Sequence, residues 1–231
     1  MTTPSDEELL ARLGEIPDRP SHGVRPLPRL PALPRAAARD ETRRRRLLAL
    51  GASVLWFGSN LALLGLRKDL RELPPAYLEA EVVLPCLLAA GCLAFALAAG
   101  RLGLGVKRAV VAALALLAPL AFGVLAAATP IPDAHAPGSA SPVALLVCMN
   151  LTLAWAALPL VLAAATLRAA FPAASRWRSG LVGAAVGLCA GATINLHCPN
   201  VAHVHMLIGH GLPVVAATLL GALVVSHWAR S

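Results

Sequence analysis

The chain has 231 residues, 58% of them hydrophobic, with a mean hydropathy of +0.70 and a formal net charge of +8. That is too apolar for an ordinary soluble domain of this length and indicates a polytopic membrane protein. Ten of the twenty Lys and Arg residues lie in the first 46 positions, and the rest form no aromatic-interleaved basic face, so direct nucleic-acid binding is excluded as a role.

Residues Ser5 to Gly14 predict a short helix, with Ser5 as N-cap, Glu8 completing a capping box and Gly14 at the C′ position. Leu9, Leu10 and Leu13 share one face, with Arg12 beside them, so the helix is suited to docking on a partner rather than standing alone. A frayed tail is the bland alternative. Pro17, Pro20, Pro26, Pro28, Pro31 and Pro34 then exclude regular structure and predict an extended tether. Arg43 to Arg46 anchor the membrane edge. Residues 1–46 contain no apolar run of the signal-peptide kind, so the first hydrophobic segment is expected to direct insertion itself.

Six apolar segments follow in residues 47–231, at about 47–66, 82–100, 109–128, 143–167, 180–196 and 204–226. Most approach the roughly 20 residues that cross a hydrocarbon core, and the fifth is the shortest. The expected fold is therefore all-α, a six-helix membrane bundle with a short N-terminal helix and a Pro-rich tether. Loops bearing Arg101, Lys107 and Arg108, and then Arg168, Arg176 and Arg178, contain no acid, whereas 129–142 and 195–203 lack Lys and Arg and the 67–81 loop mixes Arg67, Lys68 and Arg71 with four acids. Both termini inside is the solution consistent with the positive-inside rule.

That orientation puts the stretch from Asn195 to His210 on the outer side. It gathers His197, Cys198, His203, His205 and His210, four of the seven histidines and one of the five cysteines. Imidazole and thiolate can bind a transition metal, copper or zinc being the candidates, and a thiol can also be oxidised. Cys148 should lie about five residues below the outer edge of segment four, roughly 7.5 Å deep at helical rise. If segments four and five pack together, Cys148 and Cys198 could form a disulfide or share a soft metal. His203 and His210 are two helical turns apart, and three imidazoles converge only if the loop folds back. A coincidental cysteine pair in a His-rich interfacial loop is the bland reading.

Elsewhere, Gly183-x-x-x-Gly187-x-x-x-Gly191 lets a neighbour approach closely and predicts a central place for segment five. Asn60, Cys86, Asn150 and Thr152 sit at outer depth and are expected to face the bundle interior. Cys92 and Cys189 lie deeper, as small packing residues. Acids are expected only at span edges, which argues against a proton-coupled carrier. No catalytic motif is present: the chain has no His-Glu-x-x-His, no Gly-x-Ser-x-Gly and no phosphate-cradling loop.

The run from Cys148 through Ala157-Leu158-Pro159, the Leu167-Arg168 exit, the glycine-rich stretch opening at Gly180 and then Leu196-His197-Cys198-Pro199 resembles the NrsF-type family of six-span bacterial anti-sigma factors, of CarR-like plan. The resemblance covers mainly residues 143–225, with an echo at Val24-Arg25-Pro26-Leu27. It implies a bacterial inner-membrane protein in which a cytoplasmic N-terminal segment, here Leu9, Leu10, Arg12, Leu13, Arg25, Pro26 and Leu27, holds an extracytoplasmic-function sigma factor. It also implies outward cysteines linked to stress sensing, Cys148 and Cys198, with His197 beside them. The chain departs from the family pattern after Pro199, where the loop is His-rich. That favours a metal or photo-oxidative cue, with His203, His205 and His210 as the added ligands. A copper- or zinc-handling membrane protein without a sigma partner is the alternative, and a small assembly subunit is a third reading.

Overall fold

A computed structural model describes residues 35–98, 108–129, 141–170 and 176–228, with side chains at 41–97, 109–129, 141–167 and 176–228. The predicted N-terminal helix, the proline tether and the sigma-contact residues Leu9 to Leu27 lie outside the described residues. Met1–Ala38 forms a unit separate from Arg39–Ser231, and the description below concerns the second.

Six helices long and apolar enough to cross a membrane make up the bundle, and no strand occurs among the described residues. The first, α1, is Arg35–Leu64. The second, α2, runs from Pro75–Leu78 through a π-helical turn at Glu79–Val83 into Leu84–Ala98. Next come α3 (Arg108–Ala128), α4 (Pro142–Ala170) and α5 (Arg176–Asn195). The last, α6, opens at His203–His205, passes a π-turn at Met206–Gly211, continues as Leu212–Leu220 and ends beyond a second π-turn at Gly221–Val225. Pro119 and Pro159 are accommodated inside α3 and α4.

The shortest predicted segment is the hub. α5 packs against α2, α3, α4 and α6, and most of its length is buried. Small side chains explain this: in hydrocarbon there is no hydrophobic force between helices, so close backbone approach and van der Waals contact must hold them. A Cβ added at Gly183 would lie 2.3 Å from the Ala217 carbonyl oxygen, and one at Gly221 would lie 2.5 Å from the Ser179 carbonyl oxygen. α5 and α6 therefore meet backbone to backbone at this crossing. Phe122, Leu181, Leu188 and Val214 fill the space around it.

α1 is attached differently. None of its most apolar window is buried. Its grip on the bundle lies in its second half, where the Trp56 indole N–H donates to the Trp155 carbonyl at 2.9 Å and Phe57 and Leu61 pack beside Trp155 and Ile194. Toward Arg46 a cleft of about 540 Å³ separates it from α2, α4 and α5, lined by Leu50, Val54, Leu93 and Cys189 among others.

α2 corrects the expectation that acids stay at span edges. The helix begins at Pro75, not near residue 82, so Glu81 falls inside it, and its side chain is buried. The local reason is Pro75 at the first helical turn, where the missing N–H costs no hydrogen bond. Of the polar groups expected to face the bundle interior, Thr152 is buried but Cys86 and Asn150 are exposed, and Asn60 and Asn150 donate to carbonyls one turn back, those of Trp56 and Leu146, which satisfies them without a neighbouring helix.

Candidate functional site

The Asn195 to His210 corner is held by the loop that leaves α1. Gly65 ends that helix at φ 83°, a left-handed geometry that glycine adopts without a Cβ clash. Two residues later the Arg67 side chain is buried, bound to both carboxylate oxygens of Asp69 at 2.7 Å. The guanidinium also donates to the Pro199 carbonyl at 3.3 Å, and the Arg67 backbone N–H donates to the Leu196 carbonyl at 2.9 Å. His197 Nδ1–H completes the clamp on the Gly65 carbonyl at 2.9 Å. Leu73, Tyr77 and Val201 pack over it. Cys198 thus stands between two residues, His197 and Pro199, that are both bonded to the segment following α1.

Beneath the corner, Cys148 of α4, Cys198, and His205 and His210 of α6 converge, with one potential ligand atom from each lying within 4.8 Å of the others. The Cys148 and Cys198 sulfurs are 3.6 Å apart, and Cys198 Sγ lies 3.3 Å from His205 Nε2. Cys198, His205 and His210 are buried, and Cys148 is half-buried. The two imidazoles meet edge to face with centroids 5.2 Å apart. Gly209 lies beside this meeting: a Cβ there would make ordinary van der Waals contact with the His205 ring and the Cys148 Cβ.

A buried chain of polar groups fixes His210. The Asn195 amide N–H donates to the Glu81 backbone carbonyl at 3.0 Å and to its carboxylate at 3.3 Å. Its Oδ1 is then the acceptor that faces His210 Nδ1, so Nδ1 carries the proton and Nε2 presents a lone pair. Neither His210 Nε2 nor His205 Nδ1 has a hydrogen-bond partner, although both are buried.

The geometry regroups the residues that the sequence marked as sensing and metal-binding. Cys148, Cys198, His205 and His210 come together. His197 is committed to the Gly65 clamp, and His203 donates from Nδ1 to the Ala126 carbonyl at 2.9 Å on α3. The expected grouping of His203 with His210 assumed uninterrupted α-helix, in which residues seven apart share a face and residues five apart stand about 140° apart. The π-turn at Met206–Gly211 adds a residue to the turn and brings His205 and His210, five apart, onto one side. Sequence reasoning also missed Glu81, Asn195, Arg67 and Asp69. Asn195 closing an apolar run and the acids Glu79 and Glu81 just before one were the available signals.

Cys198, in the corner between α5 and α6, is held well below the ordinary thiol range. The largest cause is the hydrogen bond donated by the Cys148 thiol, opposed by burial and reinforced by His205 and His210. A group depressed on folding adds stability that is complete above its unfolded value, about 8.5 for a thiol, and is lost as pH falls through the lower folded value. The ultraviolet thiolate absorbance that disappears in Cys198→Ser should therefore persist at neutral pH and titrate in acid. Titration of that absorbance near the ordinary thiol value would contradict the assignment.

A family model described as "NrsF: Negative regulator of sigma F" matches residues 31–230, nearly the whole chain. The matched range begins after Leu9, Leu10, Arg12, Leu13, Arg25, Pro26 and Leu27. No curated protein and no solved structure gives a match.

Proposed function

This chain belongs to the NrsF family of negative regulators of sigma F, and from that premise we propose that it is a membrane-bound anti-sigma factor whose N-terminal segment sequesters an extracytoplasmic-function sigma factor at the bacterial inner membrane. Both termini lie in the cytoplasm in this reading, and the corner at Asn195–His210 faces outward. The observation that carries it is the joining of the cysteine-bearing corner to the end of α1, the helix that continues into the N-terminal segment. Cys198 has a clamped residue on each side, the partners being Gly65 and Arg67.

An envelope, metal or photo-oxidative event at Cys148 and Cys198 displaces the corner, and the clamp passes the displacement to α1. The helix can respond because only its half nearest the corner grips the bundle, with the cleft beside the rest. A signal shifts such an equilibrium only by interacting differently with the two arrangements. Here the difference is the spacing of the two sulfurs and two imidazoles. Affinity capture of the full-length chain from membranes tests the reading. A sigma factor should co-purify, and capture should fail when residues 1–40 are removed; equal recovery from both chains would rule out the tail as the holding element.

Metal handling is the second reading, and the four-residue cluster favours it. A carrier, however, needs an open coordination position or a path, whereas four protein ligands close a site. A closed site suits a resident or signalling ion better than a passing one.

A further inference from the structure

We propose that Cys148, Cys198, His205 and His210 form a four-coordinate site for a thiophilic d¹⁰ cation, zinc(II) or copper(I), and that occupancy of this site is the event that releases the sigma factor. The inference deepens the anti-sigma reading and rests on it for its consequence, while the ion itself is tested independently.

Three observations carry it. The first is spacing. Tetrahedral zinc bonds of about 2.3 Å to sulfur and 2.0–2.1 Å to nitrogen put ligand atoms about 3.4 Å apart for two nitrogens and about 3.8 Å for two sulfurs. The sulfurs here are 3.6 Å apart, one sulfur–nitrogen pair is 3.3 Å apart, and all four ligand atoms lie within 4.8 Å. The second is the state of the imidazoles. Both rings are fully buried; His210, whose Nδ1 is engaged by Asn195, keeps an Nε2 without a hydrogen-bond partner, an expensive arrangement unless something accepts its lone pair, and His205 turns its Nε2 toward the Cys198 sulfur.

The third is the support behind His210. Ligating histidines ordinarily donate their other ring N–H to a carboxylate or carbonyl, which fixes the tautomer and sharpens the donor nitrogen. His210 does this through Asn195, which is itself held by Glu81. A disulfide between the cysteines would use none of these imidazole features. Soft thiolate with imidazole selects zinc or copper(I) over magnesium or calcium. On binding, both sulfurs coordinate as thiolates and any thiol proton they carry goes to solvent, so no oxidant or reductant is consumed. The ion joins α4, the corner and α6, and it pulls on Cys198 between the two clamped residues.

Full-length protein purified in detergent and stripped with a chelator should be titrated with zinc(II), with cobalt(II) as the coloured probe and with copper(I) under reducing conditions. One ion per chain is expected, and cobalt should give intense tetrahedral bands with sulfur-to-metal charge transfer. Cys148→Ser and Cys198→Ser should each weaken that charge transfer. His205→Ala or His210→Ala should lower affinity by at least about 10-fold, and Asn195→Ala by about 10–100-fold. His203→Ala and Cys86→Ser, which lie outside the four, should bind as the parent does and report that the fold survives substitution.

Displacement of cobalt by zinc at the lower concentration names zinc as the ion, and displacement by copper(I) names copper; failure of both overturns the site. An octahedral cobalt spectrum, or unchanged affinity in the His205/His210 double variant, also overturns it. Capture of a sigma factor by the ion-free protein reports separately on the anti-sigma reading. Sigma captured but no ion bound sinks the site alone; ion bound but no sigma captured leaves the site and sinks the release mechanism.

Discussion

Removal of residues 1–40 is expected to leave the target regulon fully active without any inducing signal, while the six helices still insert. The deleted stretch contains every residue expected to touch the sigma factor: Leu9, Leu10, Arg12 and Leu13 on one amphipathic helix, and Arg25, Pro26 and Leu27 on the tether. It spares Arg43 to Arg46, the positive cluster expected to orient the first span, and all six apolar spans. If the intact chain holds 99% of its partner, losing the contact raises free sigma factor about 100-fold. Reporter transcription gives the effect, and membrane fractionation of the truncated chain gives the control. Repression that survives the deletion would move the holding element into the bundle or its loops.

The second large effect concerns the hub. Gly183→Val should destroy the bundle, because the new Cβ would stand 2.3 Å from the Ala217 carbonyl oxygen and 3.1 Å from the Gly221 Cα. Overpacking a core usually costs about 1–3 kcal/mol when side chains can yield. Here the obstacles are backbone atoms, so α6 itself must move, and with it His205 and His210. The expected result is little folded protein in the membrane and a markedly lower unfolding midpoint in detergent for whatever is recovered. Gly58→Ala, at a position with nothing within 4 Å, should behave as the parent does. Equal stability of the two variants would mean that α5 and α6 do not cross as described.

These two predictions draw on different layers of the sequence. The spans were legible because hydrocarbon thickness imposes a length on any apolar helix, and all six expected segments correspond to helices. Even the central role of α5, the shortest expected segment, was legible from Gly183, Gly187 and Gly191. Membrane helices are held by close approach, and close approach requires small residues at helical spacing. The edges were less legible. Pro75 starts α2 early and carries Glu81 into the span, where Asn195 receives it.

The cluster was half legible. Cys148 and Cys198 could be paired from their expected depths, since both belong near one end of the bundle. The imidazoles could not be sorted, because their sorting depends on a π-turn that no residue type announces. Met206–Gly211 shifts the angular register by enough to exchange His203 for His205 as the neighbour of His210. Arg67 was hidden for another reason. In a loop rich in both signs of charge it reads as solvated, yet it is buried because Asp69 and the Pro199 carbonyl satisfy its guanidinium.

The central claim is that an event at Cys148 and Cys198 governs a sigma factor held by the other end of α1. Its most direct test is the amount of sigma factor that co-purifies with the full-length chain from membranes, with and without added zinc(II) or copper(I), in the parent and in the Cys148→Ser/Cys198→Ser variant. The account predicts that both chains hold the sigma factor when ion-free and that the ion releases it from the parent alone. Retention by the parent in the presence of both ions, or equal release from both chains, would contradict it.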